Sequence, residues 1–284
     1  MVDLHLHTVY SDGSWEPQTV AERAFQVGLR IIAITDHDGV GGIDEATEAG
    51  ERLGLRVIPG IELSALHRGI ETHVLGYFID HREPGLLREL DSIAKARSER
   101  VADMVGLLRR KGLDISFEDV IAQSPKGYLG RPHIAKAMVA KGIIAGNSEA
   151  FTLEFIGNEG ECYLPTCELS VAGAIEIIHS AKGIAVLAHP GFWSGSQGII
   201  PDDDIEGFVA EGLEGIECRH FRHPEEVARH FEAIAERLGV LKTGGSDCHG
   251  DYYNPVKIGT VEVPFEWFKK LEDYCNFKGG RKWC

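Results

Sequence analysis

Asp3-Leu4-His5-Leu6-His7 places polar side chains at every second position of the first residues of the chain. In an extended strand alternate residues share a face, so Asp3, His5 and His7 would point one way and the two leucines the other. Two imidazoles held side by side can chelate a metal ion, and a neighbouring carboxylate such as Asp3 can fix the ring tautomer. Taken alone, the same alternation also fits a polar surface strand. The grammar recurs, however, where apolar runs end. Asp36-His37-Asp38 follows residues 31–34, Glu62 closes 56–61, His189 follows 184–187, and Asp247-Cys248-His249 follows 240–243. His73 opens or lines a further run. Member by member, quieter readings stand: Asp12 in Ser11-Asp12-Gly13 suits a turn, His73 a half-buried strand, and Cys248 a packing position.

The elements that must position these residues alternate in type. Residues 2–7, 29–35, 56–61 and 73–78 have the apolar, β-branched character of strands, with helical periodicity over 17–27 and 43–53. The rhythm resumes with helices at 172–182, 205–211, 225–238 and 265–274 and strands at 184–188, 215–218 and 240–245. Strands alternating with helices predict an α/β fold with a parallel sheet or barrel, whose sites gather at the carboxyl ends of the strands. Between them only helix signals appear, at 86–110, 117–123, 132–141 and 148–156, which predicts a helical insertion into one α/β body. The boundaries expected are barrel over 1–79, inserted helical domain over 80–162, and barrel again over 163–284.

Composition narrows the partners. The 284 residues are 43% hydrophobic and 26% charged, as in a soluble globular protein. The formal net charge of −15, with no basic stripe and no aromatic platform, argues against docking of long nucleic acid. Arg281-Lys282 is too short to count as such a patch. Cys162, Cys167, Cys218, Cys248, Cys275 and Cys284 form no CxxC pair. No signal peptide or membrane-spanning run is present, so a cytoplasmic protein with reduced thiols is expected, free of the membrane.

Quoted in order, Asp3-x-His5-x-His7, Ser11-Asp12-Gly13, Thr35-Asp36-His37-Asp38, Gly60-x-Glu62, His73-x-x-Gly76, Ala188-His189-Pro190 and Gly245-Ser246-Asp247-x-His249-Gly250 resemble the signatures of the PHP (polymerase and histidinol phosphatase) superfamily. The helical insertion resembles a branch acting on nucleoside 3′,5′-bisphosphates and short 5′-phosphorylated RNA. The resemblance implies a distorted (β/α)7 TIM-like barrel with up to three divalent cations. His5, His7, Glu62 and Asp247 would hold one, Glu62 with His73 and His189 a second, and Asp12, His37 and His249 a third. Imidazole and carboxylate donors without thiolate suit Mn²⁺, Fe²⁺ or Zn²⁺ alike. Such cations activate water for in-line attack on phosphorus and neutralise the phosphoryl oxygens, with Asp247 part of the catalytic centre.

A bisphosphate needs a second anion site. Gly130-Arg131-Pro132-His133 is the candidate, because Pro132 suits a first helical turn and sets Arg131 at its amino end. Arg131 and His133 would then touch substrate; an exposed loop arginine and a packing histidine are the quieter reading. His223, after residues 215–218, resembles a histidine of relatives that contacts substrate or protonates the leaving oxygen. Where this branch often carries a basic residue, the turn reads Gly157-Asn158-Glu159-Gly160-Glu161, with acids instead. The expected activity is therefore a phosphomonoesterase releasing the 3′-phosphate of a small phosphorylated nucleotide. The alternatives are 5′→3′ trimming of short oligoribonucleotides, a histidinol phosphate-type phosphatase, and a non-catalytic metal-binding module.

Overall fold

The structure, a computed structural model, describes residues 1–165, 169–192, 198–251 and 257–279. Cys167, Cys284 and the Arg281-Lys282 tail lie outside these. Among the described residues no helix is long and apolar enough to cross a membrane.

Seven strands stand side by side in sequence order: β1 (Val2–Asp3), β2 (Ile31–Ile34), β3 (Arg56–His67), β4 (Ile70–Tyr77), β5 (Ile184–Leu187), β6 (Gly215–His220) and β7 (Leu241–Gly245). Pairing is parallel from β1 to β3 and from β5 to β7, and antiparallel on both sides of β4. The first residues return to β7 through Leu4 N–H to the Gly244 carbonyl (3.3 Å) and a parallel bridge between Leu6 and Cys248. The sheet thus curls into a nearly closed barrel, a distorted TIM-like fold. Gly245 is needed at this seam, since a Cβ there would lie 2.4 Å from His5 Cβ. Helices α1 (Pro17–Gln26), α2 (Ile43–Leu53), α6 (Val171–Ser180), α7 (Asp202–Ala210), α8 (Glu225–Leu238) and α9 (Phe265–Gly279) belong to the barrel part of the chain. Leu4, Leu6, Ile32, Ile34, Ile58 and Ile61 are among its fully buried residues.

Three expectations change. The first strand ends at Asp3, so His5 and His7 sit beyond the ladder, on the segment that crosses to β7. Residues 56–61 and 73–78 are two arms of one long hairpin, turned at Arg68 (φ 50°) and Gly69 (φ 79°). Two successive left-handed residues are what a tight hairpin turn demands, and glycine supplies one without penalty. The expected helix at 148–156 is instead a 3-10 turn, Asn147–Ala150, followed by turns. Gly157 N–H returns to the Thr152 carbonyl and Glu161 N–H to that of Leu153, so these amides leave the helical pattern.

The insertion starts with α3 (Pro84–Arg110), capped by the Glu83 carboxylate accepting from Leu86 N–H, with Pro84 in its first turn. It continues through α4 (Phe117–Ile121) and α5 (Arg131–Ala140). Leu86, Leu90 and Ile93 join the barrel core, whereas Val101, Met104 and Leu108 join a second core with Ile134 and Met138. One helix therefore runs from barrel to cap. Its midpoint is tied to the barrel by Arg97, whose Nη2 donates to Asp38 Oδ2 (2.7 Å) with both side chains buried. The same guanidinium lies 4.3 Å from the centre of the Tyr128 ring.

Removing one partner from a buried ion pair strands the other charge. Arg97→Ala should lower the unfolding free energy by about 3 kcal/mol in urea titration. A loss below about 1 kcal/mol would show that the latch contributes little.

Candidate metal centre

Glu62 projects from β3 just past the end of β2, where the His37–Glu62 bridge continues the pairing. It is almost fully buried, and five imidazole nitrogens converge on it. Its Oε2 lies 3.1 Å from His5 Nε2, 3.1 Å from His7 Nε2 and 3.2 Å from His37 Nδ1. Its Oε1 lies 2.8 Å from His73 Nδ1 and 3.0 Å from His189 Nε2. Asp247 Oδ1 reaches His7 Nε2 (3.1 Å) and His5 Nε2 (3.4 Å), and Asp12 Oδ1 reaches His249 Nε2 (3.1 Å).

Three sets have ligand atoms within 4.8 Å of one another: His5, His7, Glu62 and Asp247; His7, Asp12, His37 and His249; and His37, Glu62 and His73. His189 Nε2 completes the last, 3.3 Å from His73 Nδ1. All nine ligand positions expected from the sequence thus face one centre. His7, His37 and Glu62 are each shared by two of the sets.

The donors fit cations better than they fit each other. His7 Nε2, His37 Nδ1 and Asp12 Oδ1 are buried and make no hydrogen bond among the described residues, although carboxylates or imidazoles stand close by. Groups at 3.1–3.2 Å without hydrogen-bond alignment are lone pairs aimed at a common space. Electrostatics agree. Burial works against a charged His7, but Asp247 and Glu62 outweigh it and lift the ring to about 10. Burial holds His37 down at about 4. Burial opposes ionised Glu62 and Asp247 too, yet the surrounding imidazoles keep both carboxyls well below the usual range. Unstrained backbone alone does not achieve this: His189 (φ 28°), Asp38 (φ 44°) and Asp247 (φ 53°) are left-handed without being glycine. Such strain is retained where the surroundings over-determine it.

Three of the inward-facing rings are set by a bond from the outward nitrogen. His5 Nδ1 meets Glu217 Oε1 (2.9 Å), His73 Nε2 meets Glu71 Oε1 (3.2 Å), and His249 Nδ1 meets the Asp247 carbonyl (2.9 Å). Glu217 also accepts from His189 N–H (2.8 Å). The expectation that Asp3 orients the imidazoles is corrected. Its carboxylate accepts from the Ser246 and Gly259 amides (2.9 and 2.8 Å), tying the loop after β7 to the chain start. Asp36 plays a similar part, accepting from Thr8 and Ser11 hydroxyls.

A cavity of about 670 Å³ opens above the centre, walled by the barrel loops and by the cap. Arg131 stands on its wall, at the first turn of α5, donating to Asn158 Oδ1 (2.7 Å) with Glu71 3.5 Å away. Arg100 stands there too, with Nε donating to the Leu164 carbonyl (2.8 Å) and a buried Nη2 that has no partner among the described residues. Glu161 pairs with Lys111 outside the cavity, so this acid of the turn does not face the site. His133 is buried beside Tyr128 (ring centres 5.7 Å) and is not part of the cavity wall.

His223 is also placed differently from expectation. Its Nδ1 lies 2.8 Å from the Cys218 carbonyl and its Nε2 accepts from Gly191 N–H (3.1 Å). Both ring nitrogens are therefore engaged by backbone, and burial holds the ring down at about 4. His220 occupies the wall in its stead, with Nε2 3.2 Å from Asp247 Oδ2 and Nδ1 accepting from Arg222 N–H. Neither His220 nor Glu217, Glu71 or Arg100 was singled out in sequence. A Glu within the apolar strand Gly-Ile-Glu-Cys was the available signal for Glu217.

Known proteins are similar to this chain in sequence and fold. The PHP domain profile matches residues 3–152. The chain is 32% identical over 263 residues to a 3′,5′-nucleoside bisphosphate phosphatase of Chromobacterium violaceum, covering 92% of this chain and 91% of that protein. It is 28% identical over 253 residues to a 5′-3′ exoribonuclease of Haemophilus influenzae, covering 87% and 89%. A solved structure from Bifidobacterium adolescentis, provisionally described as a metal-dependent phosphoesterase, superposes with a TM-score of 0.87 at 32% identity, covering 99% of this chain and 98% of that one.

Because Glu217 fixes the proton of His5 on Nδ1, Glu217→Gln should weaken metal retention about 10- to 100-fold against a competing chelator. Retention equal to the wild type would remove Glu217 from the account.

Proposed function

The chain belongs to the PHP domain family and is a metal-dependent phosphoesterase, and from that premise we propose that it releases the 3′-phosphate of nucleoside 3′,5′-bisphosphates. The observation that carries the substrate reading is the pair Arg131 and Arg100 on the wall of the metal cavity. A monophosphate needs no second anion site; a bisphosphate does. Two guanidinium groups present planar, multi-donor edges suited to phosphate. The relative of Chromobacterium violaceum, named for this activity, adds weight.

In this reading the chain divides the substrate between two ends. Arg131 and Arg100 take the 5′-phosphate, and Asn158 and Glu71 hold Arg131 in place, one on each terminal nitrogen. The partly buried Glu71 carboxyl, despite the desolvation it suffers, stays ionised through its bond to His73 and the charge of Arg131. It thereby couples the anion site to a ligand of the metal centre. His5, His7, Glu62 and Asp247, with His37, His73, His189, Asp12 and His249, are the residues that would hold the cations. Cations bound there supply Lewis-acid charge at the phosphoryl oxygens and a water acidic enough to attack near neutral pH. His220 keeps the Asp247 carboxylate turned into the site. The cap, latched by Arg97, shields the reacting phosphate from bulk water. One P–O bond is broken by water, giving a nucleoside 5′-monophosphate and inorganic phosphate. The protein's charge of −15 is no obstacle, since the positive charge needed is local.

Protein loaded with Mn²⁺ should convert adenosine 3′,5′-bisphosphate to AMP, and Asp247→Ala should abolish this while remaining folded. Arg131→Ala should lower kcat/KM for the bisphosphate about 10- to 100-fold, the worth of charged hydrogen bonds to a phosphate. Chromatography of parallel reactions with a 5′-phosphorylated dinucleotide and histidinol phosphate decides the issue. Turnover of the dinucleotide alone would replace the reading with exonucleolytic trimming, and turnover of histidinol phosphate alone would overturn it.

A further inference from the structure

Two large aromatic side chains line the metal cavity and yet remain exposed: Phe192 at 43% and Phe221 at 37%. Between them lies Arg222, whose guanidinium carbon is 3.9 Å from the centre of the Phe192 ring and 5.1 Å from that of Phe221. Among the described residues the Arg222 side chain makes no hydrogen bond or ion pair. In a protein with 44 acidic residues, a guanidinium left without a carboxylate on a cavity wall is a group with donors to spare.

The platform is built from the loops that carry the metal centre. Phe192 lies three residues after His189, in a turn closed by its own N–H to the His189 carbonyl (2.9 Å). Phe221 and Arg222 follow His220 directly, and the rings of His220 and Phe221 are 4.6 Å apart. His220 in turn touches Asp247, so one imidazole separates the aromatic surface from a metal-facing carboxylate.

His223 joins the two loops. It spans from the Cys218 carbonyl on β6 to the Gly191 amide beside Phe192. Gly191 is bare at this junction because a Cβ there would fall 2.7 Å from His223 Cδ2. The relative placement of Phe192 and Phe221 is thus set by one neutral imidazole using both nitrogens on backbone.

We propose that Phe192, Phe221 and Arg222 form a platform for the aromatic base of the substrate, with His223 as the positioning residue that holds its two halves together. The inference rests on the phosphoesterase reading above and deepens it: the substrate is a nucleotide rather than a base-free sugar phosphate. Stacking of a base on aromatic rings tolerates any base, since each presents a π-face, and the planar guanidinium extends the surface. The apolar bodies supply the contact, while Arg222 supplies donors to base edges or to sugar oxygens.

Isothermal titration of Mn²⁺-loaded protein with AMP and with ribose 5-phosphate tests this directly, because neither probe has to be hydrolysed. AMP should bind at least about tenfold more tightly than ribose 5-phosphate. Phe192→Ala, Phe221→Ala and Arg222→Ala should each narrow that ratio, and the double phenylalanine variant should bring it to threefold or less. His223→Ala should narrow the ratio as well, with metal content unchanged, which a purely structural role would not do. Equal affinity for the two probes in the wild type, or a ratio indifferent to both phenylalanines, overturns the platform. A preference for AMP without hydrolysis of the bisphosphate would uphold the platform and remove the reaction proposed above. Hydrolysis without a preference for AMP would do the reverse.

Discussion

One buried carboxylate organises this protein. Glu62 is approached by imidazole nitrogens from five residues that the chain supplies from position 5 to position 189, at 2.8 to 3.2 Å. Gathering so many donors around one anion, out of water, is costly unless cations share the space. The surrounding structure serves that requirement. The Leu6–Cys248 seam closes the barrel so that residues at its start face residues near its end. The hairpin of β3 and β4 sets Glu62 and His73 across from each other, and parallel β5 and β6 deliver His189 and Glu217. Left-handed backbone at His189 and Asp247 shows that local preference has yielded to the shared centre.

The cap contributes a different kind of charge. Fixed guanidinium groups of Arg100 on α3 and Arg131 on α5 face the cavity, and Arg97 ties α3 to the barrel. In the proposed reading the barrel takes the reacting phosphate and the cap the one that is spared, while Glu71 touches both His73 and Arg131. A substrate bound across both must have its charges at a matching separation. On that reading specificity resides in the insertion and in the loops after β5 and β6, and the hydrolytic chemistry at the strand ends.

The candidate metal ligands that converge in the structure could be picked out in sequence because each signal is local. A period-two pair, a His or Asp at the end of an apolar run, and the order of such motifs can be read one segment at a time. The alternation of strands and helices predicted the α/β barrel for the same reason. Residues acting through distant partners were not legible. Glu217 matters because it meets His5, 212 positions away, and nothing near Glu217 announces that. Asp3 was misread on the same ground: its spacing placed it with the histidines, but the strand ends at Asp3 and its carboxylate is taken by two amides near the other end of the chain. His223 has the residue type of a proton donor, yet its backbone partners Cys218 and Gly191 leave neither nitrogen available. The hairpin at Arg68-Gly69 carried a readable turn signal in its glycine, but polar residues on both arms hid the strand continuation.

The central claim is that Glu62 is shared among cations rather than serving one. Counting Mn²⁺ per chain by mass spectrometry after loading and desalting tests it, comparing the wild type with Glu62→Ala checked for fold by circular dichroism. The wild type should retain more than one ion per chain, and Glu62→Ala should lose more than one ligand set at once, leaving at most a single ion. An unchanged count in Glu62→Ala, or a wild type that never holds more than one, would contradict the account.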